Sequence, residues 1–142
     1  MKLNKKGILV VDDEANITTL LRMLLERSAD YQVQVENAST QALAVAEKFL
    51  PDLILLDVDI PGMDGGELAS RINESPTLRT VPIVFLTGAV TRQEVASSDG
   101  LIGGLPFLAK PANQAEVLGC LRKHLAPRAY LTGVESQQLL AC

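Results

Sequence analysis

Long apolar runs are missing from this 142-residue chain. No stretch reaches the roughly 18 residues a membrane-crossing helix needs, and no signal peptide opens the chain, so the sequence predicts a soluble, cytoplasmic protein without membrane insertion. A basic excess is missing too: 13 Lys and Arg face 17 Asp and Glu, for a net charge of −4. That excludes the electrostatic footprint of direct nucleic-acid binding, and Lys2, Lys5 and Lys6 read as a solvated terminus. Cysteine is scarce. Cys120 falls in a helical pattern and Cys142 is the last residue; that spacing suggests neither a disulfide framework nor a zinc site, and fits a reducing compartment. Histidine occurs once, as His124 near the end of the last helical pattern, where a cation suits the helix dipole. There is no low-complexity segment and no internal repeat beyond an alternation of strands and helices.

What the chain does have is an ordinary globular composition, 47% hydrophobic and 21% charged, with length enough for one domain with a core. Four short apolar runs, Ile8-Leu9-Val10-Val11, Leu53-Ile54-Leu55-Leu56, Ile83-Val84-Phe85-Leu86 and Phe107-Leu108-Ala109, read as parallel strands buried on both faces. Tyr31 to Val35 alternates apolar and polar, as an edge strand does. Between them lie amphipathic stretches. Ile17, Leu20, Leu21, Leu24 and Leu25 share one helical face; Ser39 is a candidate N-cap for a helix carrying Ala42, Leu43, Ala46 and Phe49. Leu68 and Ile72 mark a third helix, and Thr91-Arg92-Gln93-Glu94 has the spacing of a capped start over 91–98. Asn113-Gln114-Ala115-Glu116 opens a last helix with Val117, Leu118, Leu121 and Leu125 inward. The fold class is α/β: a (βα)5 doubly wound parallel five-stranded sheet over residues 1–126, with 127–142 a C-terminal linker or the start of a further helix.

The strands end on chemistry. Asp12-Asp13 follows the first, Asp57 the third, Thr87 the fourth and Lys110 the fifth. Ligands of an open parallel sheet bind at the carboxyl ends of its strands. Three carboxylates gathered there repel one another unless a cation joins them, and a hard divalent ion is the natural occupant. Taken singly, each residue has a structural explanation: an N-cap pair, a turn aspartate, a structural threonine, a surface lysine.

Together, four motifs resemble the receiver domain of two-component response regulators: Val10-Val11-Asp12-Asp13-Glu14, Leu55 through Asp57-Val58-Asp59-Ile60-Pro61-Gly62-Met63-Asp64-Gly65, Leu86-Thr87-Gly88 and Lys110-Pro111. The resemblance covers nearly all of residues 6–126. It implies a flavodoxin-like strand order 2-1-3-4-5 and a switch rather than a turnover enzyme. It makes Asp57 the phosphoacceptor, served by Thr87 and Lys110. It assigns Mg²⁺ to Asp13 and Asp57 directly, to Asp12 through water and to the backbone carbonyl of Asp59. Gly88 would leave room for the phosphoryl group, and Thr87 and Phe107 would form a switch. The implied partner is a sensor histidine kinase or a histidine phosphotransfer protein, with a possible homodimer through the 91–125 face. Asp59, often uncharged in the family, and the Pro106-Phe107 pair depart from its commonest pattern, so a receiver-like interaction module with little phosphotransfer is the alternative. Asp57-Val58-Asp59 also suggests an aspartate-nucleophile phosphatase, but there the other acids come later in the chain. A calcium loop starting at Asp57 fails because Leu68 stands at its twelfth position.

Overall fold

The computed structural model describes residues 5–59, 62, 65–88, 101–102, 105–110 and 113–125. They form two compact units that divide between Ile83 and Val84.

In the first unit, β1 (Lys6–Val11) lies between β2 (Tyr31–Glu36) and β3 (Leu53–Asp57), all parallel, with Ile8 level with both Val33 and Leu53. Ile8, Leu9, Val10 and Val11 are fully buried, as are Leu53 to Leu56. Consecutive side chains on a strand point to opposite faces, so unbroken burial means that both faces are covered. The helices of this unit are α1 (Ala15–Glu26), α2 (Ser39–Phe49) and α3 (Gly65–Glu74). α1 and α2 each pack on β1 and β2, and α2 also touches α3.

Edge strand β2 alternates as expected, with Tyr31 and Val33 buried and Gln34 exposed. At Val33 the outward peptide groups do not stay open for pairing. Glu26 accepts from the Val33 amide at 3.2 Å, and Arg22 donates to the Val33 carbonyl at 3.4 Å, which blunts the edge.

Two local expectations change. Leu20, expected on the inner face of α1, is 44% exposed; the buried stripe is Thr18, Leu21 and Leu25. Ser39 is the first helical residue of α2 rather than its cap, and Glu36 accepts the Ala38 amide at 2.9 Å. α2 ends on Leu50 in the left-handed region, at φ 53°.

In the second unit, β4 (Ile83–Thr87, entered at Val84) pairs in parallel with β6 (Leu105–Ala109), setting Phe85 level with Phe107 and Thr87 level with Ala109. A two-residue strand, β5 (Leu101–Ile102), runs antiparallel to β6, an addition to the expected five strands. The fifth parallel strand of the predicted pattern is therefore β6. Helix α4 (Gln114–His124) begins with the predicted capping box. Asn113 accepts from the Glu116 amide at 2.8 Å, and Glu116 accepts from the Asn113 amide at 3.0 Å. Val117, Cys120 and Leu121 are its buried residues. Cys142 lies outside the described residues. The predicted 91–98 helix and the 127–142 segment also lie outside them.

Candidate functional site

The register of β1 and β3 builds the site. Val11 is level with Leu56, so one further residue along each strand sets Asp12 beside Asp57. Neighbouring strands are about 4.8 Å apart. Asp12 is fully buried, Asp57 is 3% exposed and Asp13 is exposed on the following turn. Each of the three carboxylates offers an oxygen within 4.8 Å of the others.

Local hydrogen bonds hold these groups. Asp12 Oδ1 accepts from the Glu14 amide at 3.0 Å, and Asp57 Oδ1 accepts from the Asp59 amide at 3.2 Å. Both are short side-chain-to-backbone turns of the kind aspartate favours at strand ends. Asp12 Oδ2 is buried in the same cluster. Like charges this close repel by several kcal/mol at an effective dielectric near 20 (roughly 3 kcal/mol per pair) unless a cation compensates. The donors are all hard oxygens, two buried and one reachable from solvent. That set fits a divalent ion of the magnesium or calcium type and suits thiophilic metals poorly.

The loop after β3 is shaped by glycine. Gly62 has φ +93°, a conformation that side chains rarely tolerate. Gly65 opens α3 so close to β3 that a Cβ there would lie 2.7 Å from the Asp57 carbonyl oxygen and 2.8 Å from Val58 Cα. Its amide donates to the Val58 carbonyl at 3.1 Å.

In the second unit Thr87 is buried, Lys110 is half-buried, and the Lys110 amide donates to the Thr87 carbonyl at 2.8 Å. A Cβ on Gly88 would meet nothing within 4 Å, in keeping with open space at that position. Phe107 stacks on Phe85 with ring centroids 5.2 Å apart and planes 29° apart. At the far end of α4, burial and then Lys123 hold the His124 pKa below its ordinary 6.5.

Two contacts at the site could not be read from the sequence. The close approach of Gly65 shows only in three dimensions, although the glycine sits in a quoted motif. Asn37, just beyond β2, donates to the Asp12 carbonyl at 2.7 Å, a contact no sequence spacing announces.

An acidic cluster that could hold a hard cation, at the carboxyl ends of buried parallel strands, is the arrangement of an α/β signalling or phosphoryl-handling domain. The comparisons make it specific. The family model of the response regulator receiver domain matches residues 8–122, and the chain belongs to that family. The transcriptional regulatory protein PhoP of Bacillus subtilis is 40% identical over 116 residues, which are 81% of this chain and 46% of PhoP. This chain thus spans about half the length of that relative. Chemotaxis protein CheY4 of Vibrio cholerae superposes with a TM-score of 0.71 at 28% identity, over 84% of this chain and 98% of CheY4. The receiver domain of sensor histidine kinase PA1611 from Pseudomonas aeruginosa, solved with a magnesium ion coordinated in its active-site cleft, gives 0.69 at 29%, over 84% and 96%. The expected fold class, with five parallel strands in the order 2-1-3-4-5, is borne out by these neighbours. So is a phospho-accepting role in two-component signal transduction. No helix among the described residues is long and apolar enough to cross a membrane.

Proposed function

We propose that Asp57 is the phosphoacceptor and that the chain works as a Mg²⁺-dependent switch. The observation that carries this reading is the convergence of Asp12, Asp13 and Asp57 within 4.8 Å at the ends of two adjacent parallel strands. A carboxylate oxygen of Asp57 attacks the phosphorus of a partner's phosphohistidine. The P–N bond breaks, the imidazole nitrogen takes up a proton, and an aspartyl phosphate forms. Because a carboxylate and a phosphoryl group repel, the protein's contribution is positioning and charge compensation.

Asp13 and Asp57 would hold Mg²⁺ directly, Asp12 through a water and Asp59 through its main-chain carbonyl. The chemistry such an ion supplies is neutralisation of the phosphoryl oxygens. Lys110 contributes a mobile positive charge and Thr87 a hydroxyl donor to the same oxygens. Gly88 keeps its position open. Thr87 and Phe107 carry the response to an output surface that includes α4, where a partner or a second copy docks. The phosphodonor is a sensor histidine kinase or a histidine phosphotransfer protein. The receiver spans residues 1–126 and the chain acts in the cytoplasm, without direct contact to nucleic acid and without turnover of other substrates.

The test is intact-mass measurement after incubation with Mg²⁺ and acetyl phosphate. Wild type should gain one phosphoryl group, and Asp57→Asn should gain none. Normal labelling of Asp57→Asn would refute the acceptor assignment. No labelling of wild type by several donors would favour a partner-binding module instead.

A further inference from the structure

We propose that Asn37 is a positioning residue for the acidic site, its side-chain amide fixing the peptide plane that joins Asp12 to Asp13. The inference rests on the reading of that site as a divalent-cation centre. Asn37 follows β2, and the Glu36 carbonyl beside it accepts the Asp12 amide at 3.2 Å. Asn37 Nδ2 then donates twice, to the Asp12 carbonyl at 2.7 Å and to Thr18 Oγ1 at 3.1 Å. Thr18 is 1% exposed and its hydroxyl donates to the Ala15 carbonyl at 3.1 Å. One exposed amide thus ties three elements together: the end of β2, the turn after β1 and the first turn of α1.

The consequence follows from peptide geometry. The Asp12 carbonyl and the Asp13 amide share one rigid plane. Anchoring that oxygen restrains ψ of Asp12 and φ of Asp13, the two dihedrals that set how the neighbouring carboxylates are aimed. On the other side the Glu14 amide holds Asp12 Oδ1 at 3.0 Å. Glu14, the N-cap of α1, makes no side-chain capping bond, and the Asn37 bridge braces the turn that leads into it. Contacts of this outer kind orient ligands and tune metal affinity. Asn37 is itself solvent-exposed, so water can replace its amide at the Asp12 carbonyl once it is removed. Its loss should therefore disturb cation binding more than folding.

The experiment is a Mg²⁺ titration of wild type, Asn37→Ala and Thr18→Val, followed by calorimetry and by the thermal midpoint with and without the ion. Asn37→Ala should bind Mg²⁺ about three- to tenfold more weakly, at the low end of outer-contact effects because it acts on backbone. Its ion-free midpoint should stay close to wild type. Thr18→Val removes one of the two acceptors and should show a smaller loss of affinity. If Asn37→Ala does not fold, Asn37→Ser, one bond shorter and still polar, takes its place with the same expectation. Unchanged Mg²⁺ affinity in a folded variant overturns the assignment, as does a lowered ion-free midpoint with an unchanged dissociation constant, the mark of a purely structural contact. Wild type that binds no Mg²⁺ at millimolar concentration overturns the cation reading and this inference with it. Binding by wild type with no loss in Asn37→Ala overturns the role of Asn37 alone.

Discussion

Replacing Gly65 by alanine puts one methyl group where two backbone atoms already stand. The new Cβ would lie 2.7 Å from the Asp57 carbonyl oxygen and 2.8 Å from Val58 Cα. Neither atom belongs to a flexible side chain, so relief must come from moving the start of α3 or from turning the peptide that follows the proposed acceptor. Overpacking of this kind costs about 1–3 kcal/mol. Alanine recovers roughly 0.5–1 kcal/mol of helix propensity over glycine, so the expected net loss is about 1–2 kcal/mol. With a urea slope of about 1–3 kcal/mol per molar, the unfolding midpoint should fall by roughly 0.5–1 M. Function should suffer more than folding, because the displaced carbonyl is that of Asp57. The assay pairs urea unfolding with acetyl-phosphate labelling of the same protein. A variant with wild-type midpoint and wild-type labelling would show that this close approach does not constrain the acceptor, and the reasoning would fail.

Gly119 is the opposite case: a Cβ there meets nothing within 4 Å inside α4. Gly119→Ala should therefore stabilise by about 0.5–1 kcal/mol in urea or thermal unfolding, and destabilisation would refute the open placement. Leu50 holds φ 53° while 57% exposed. Leu50→Gly should relieve that conformation and raise the thermal midpoint by about 1–3 °C, a net gain below about 1 kcal/mol; a fall would mean that the leucine's contacts outweigh its strain. Because the folded state holds the His124 pKa below 6.5, first by burial and then through Lys123, the unfolded chain binds more protons there. Stability should fall as pH drops below about 6.5 through the folded pKa, and His124→Gln should flatten that part of a thermal-midpoint-against-pH profile; an unchanged slope would refute the assignment.

The elements that could be read from sequence are those whose burial is unbroken or strictly alternating. Ile8 to Val11 and Leu53 to Leu56 are fully covered, so their apolar runs had one reading, and the parallel register carried Asp12 to Asp57 without further information. The capping box at Asn113 was legible because both partners lie within one turn. Leu20 was misplaced because the inward stripe of α1 is narrower than its apolar content, and Thr18 takes a buried place that a hydrophobic pattern does not award to a polar residue. Ser39 failed as a cap because the first turn starts one residue earlier, with the Ala38 carbonyl accepting the Gln41 amide at 3.1 Å. A two-residue strand such as Leu101–Ile102 is too short to carry a period. Asn37 and Asp12 are 25 positions apart, and no local rule couples them.

The aromatic stack bears on how a switch could run through the second unit. Side chains two apart on a strand share a face, so Phe85 and Thr87 lie on one side of β4, and Phe107, level with Phe85, lies on the same side of the sheet. The stack at 5.2 Å therefore holds Phe107 one step diagonally from Thr87. Leaving such a stack costs about 0.5–1.5 kcal/mol. Reversing a 1:99 population needs about 5.5 kcal/mol, so the stack sets a resting position without dominating the equilibrium. The main chain is a firmer restraint, because the Thr87 carbonyl accepts the Lys110 amide at 2.8 Å and ties the ends of β4 and β6 together. On the proposed reading, the movement of Thr87 is thus a side-chain rotation on a fixed backbone. Phe107 can respond to it without a buried hydroxyl left to satisfy, since its ring carries none.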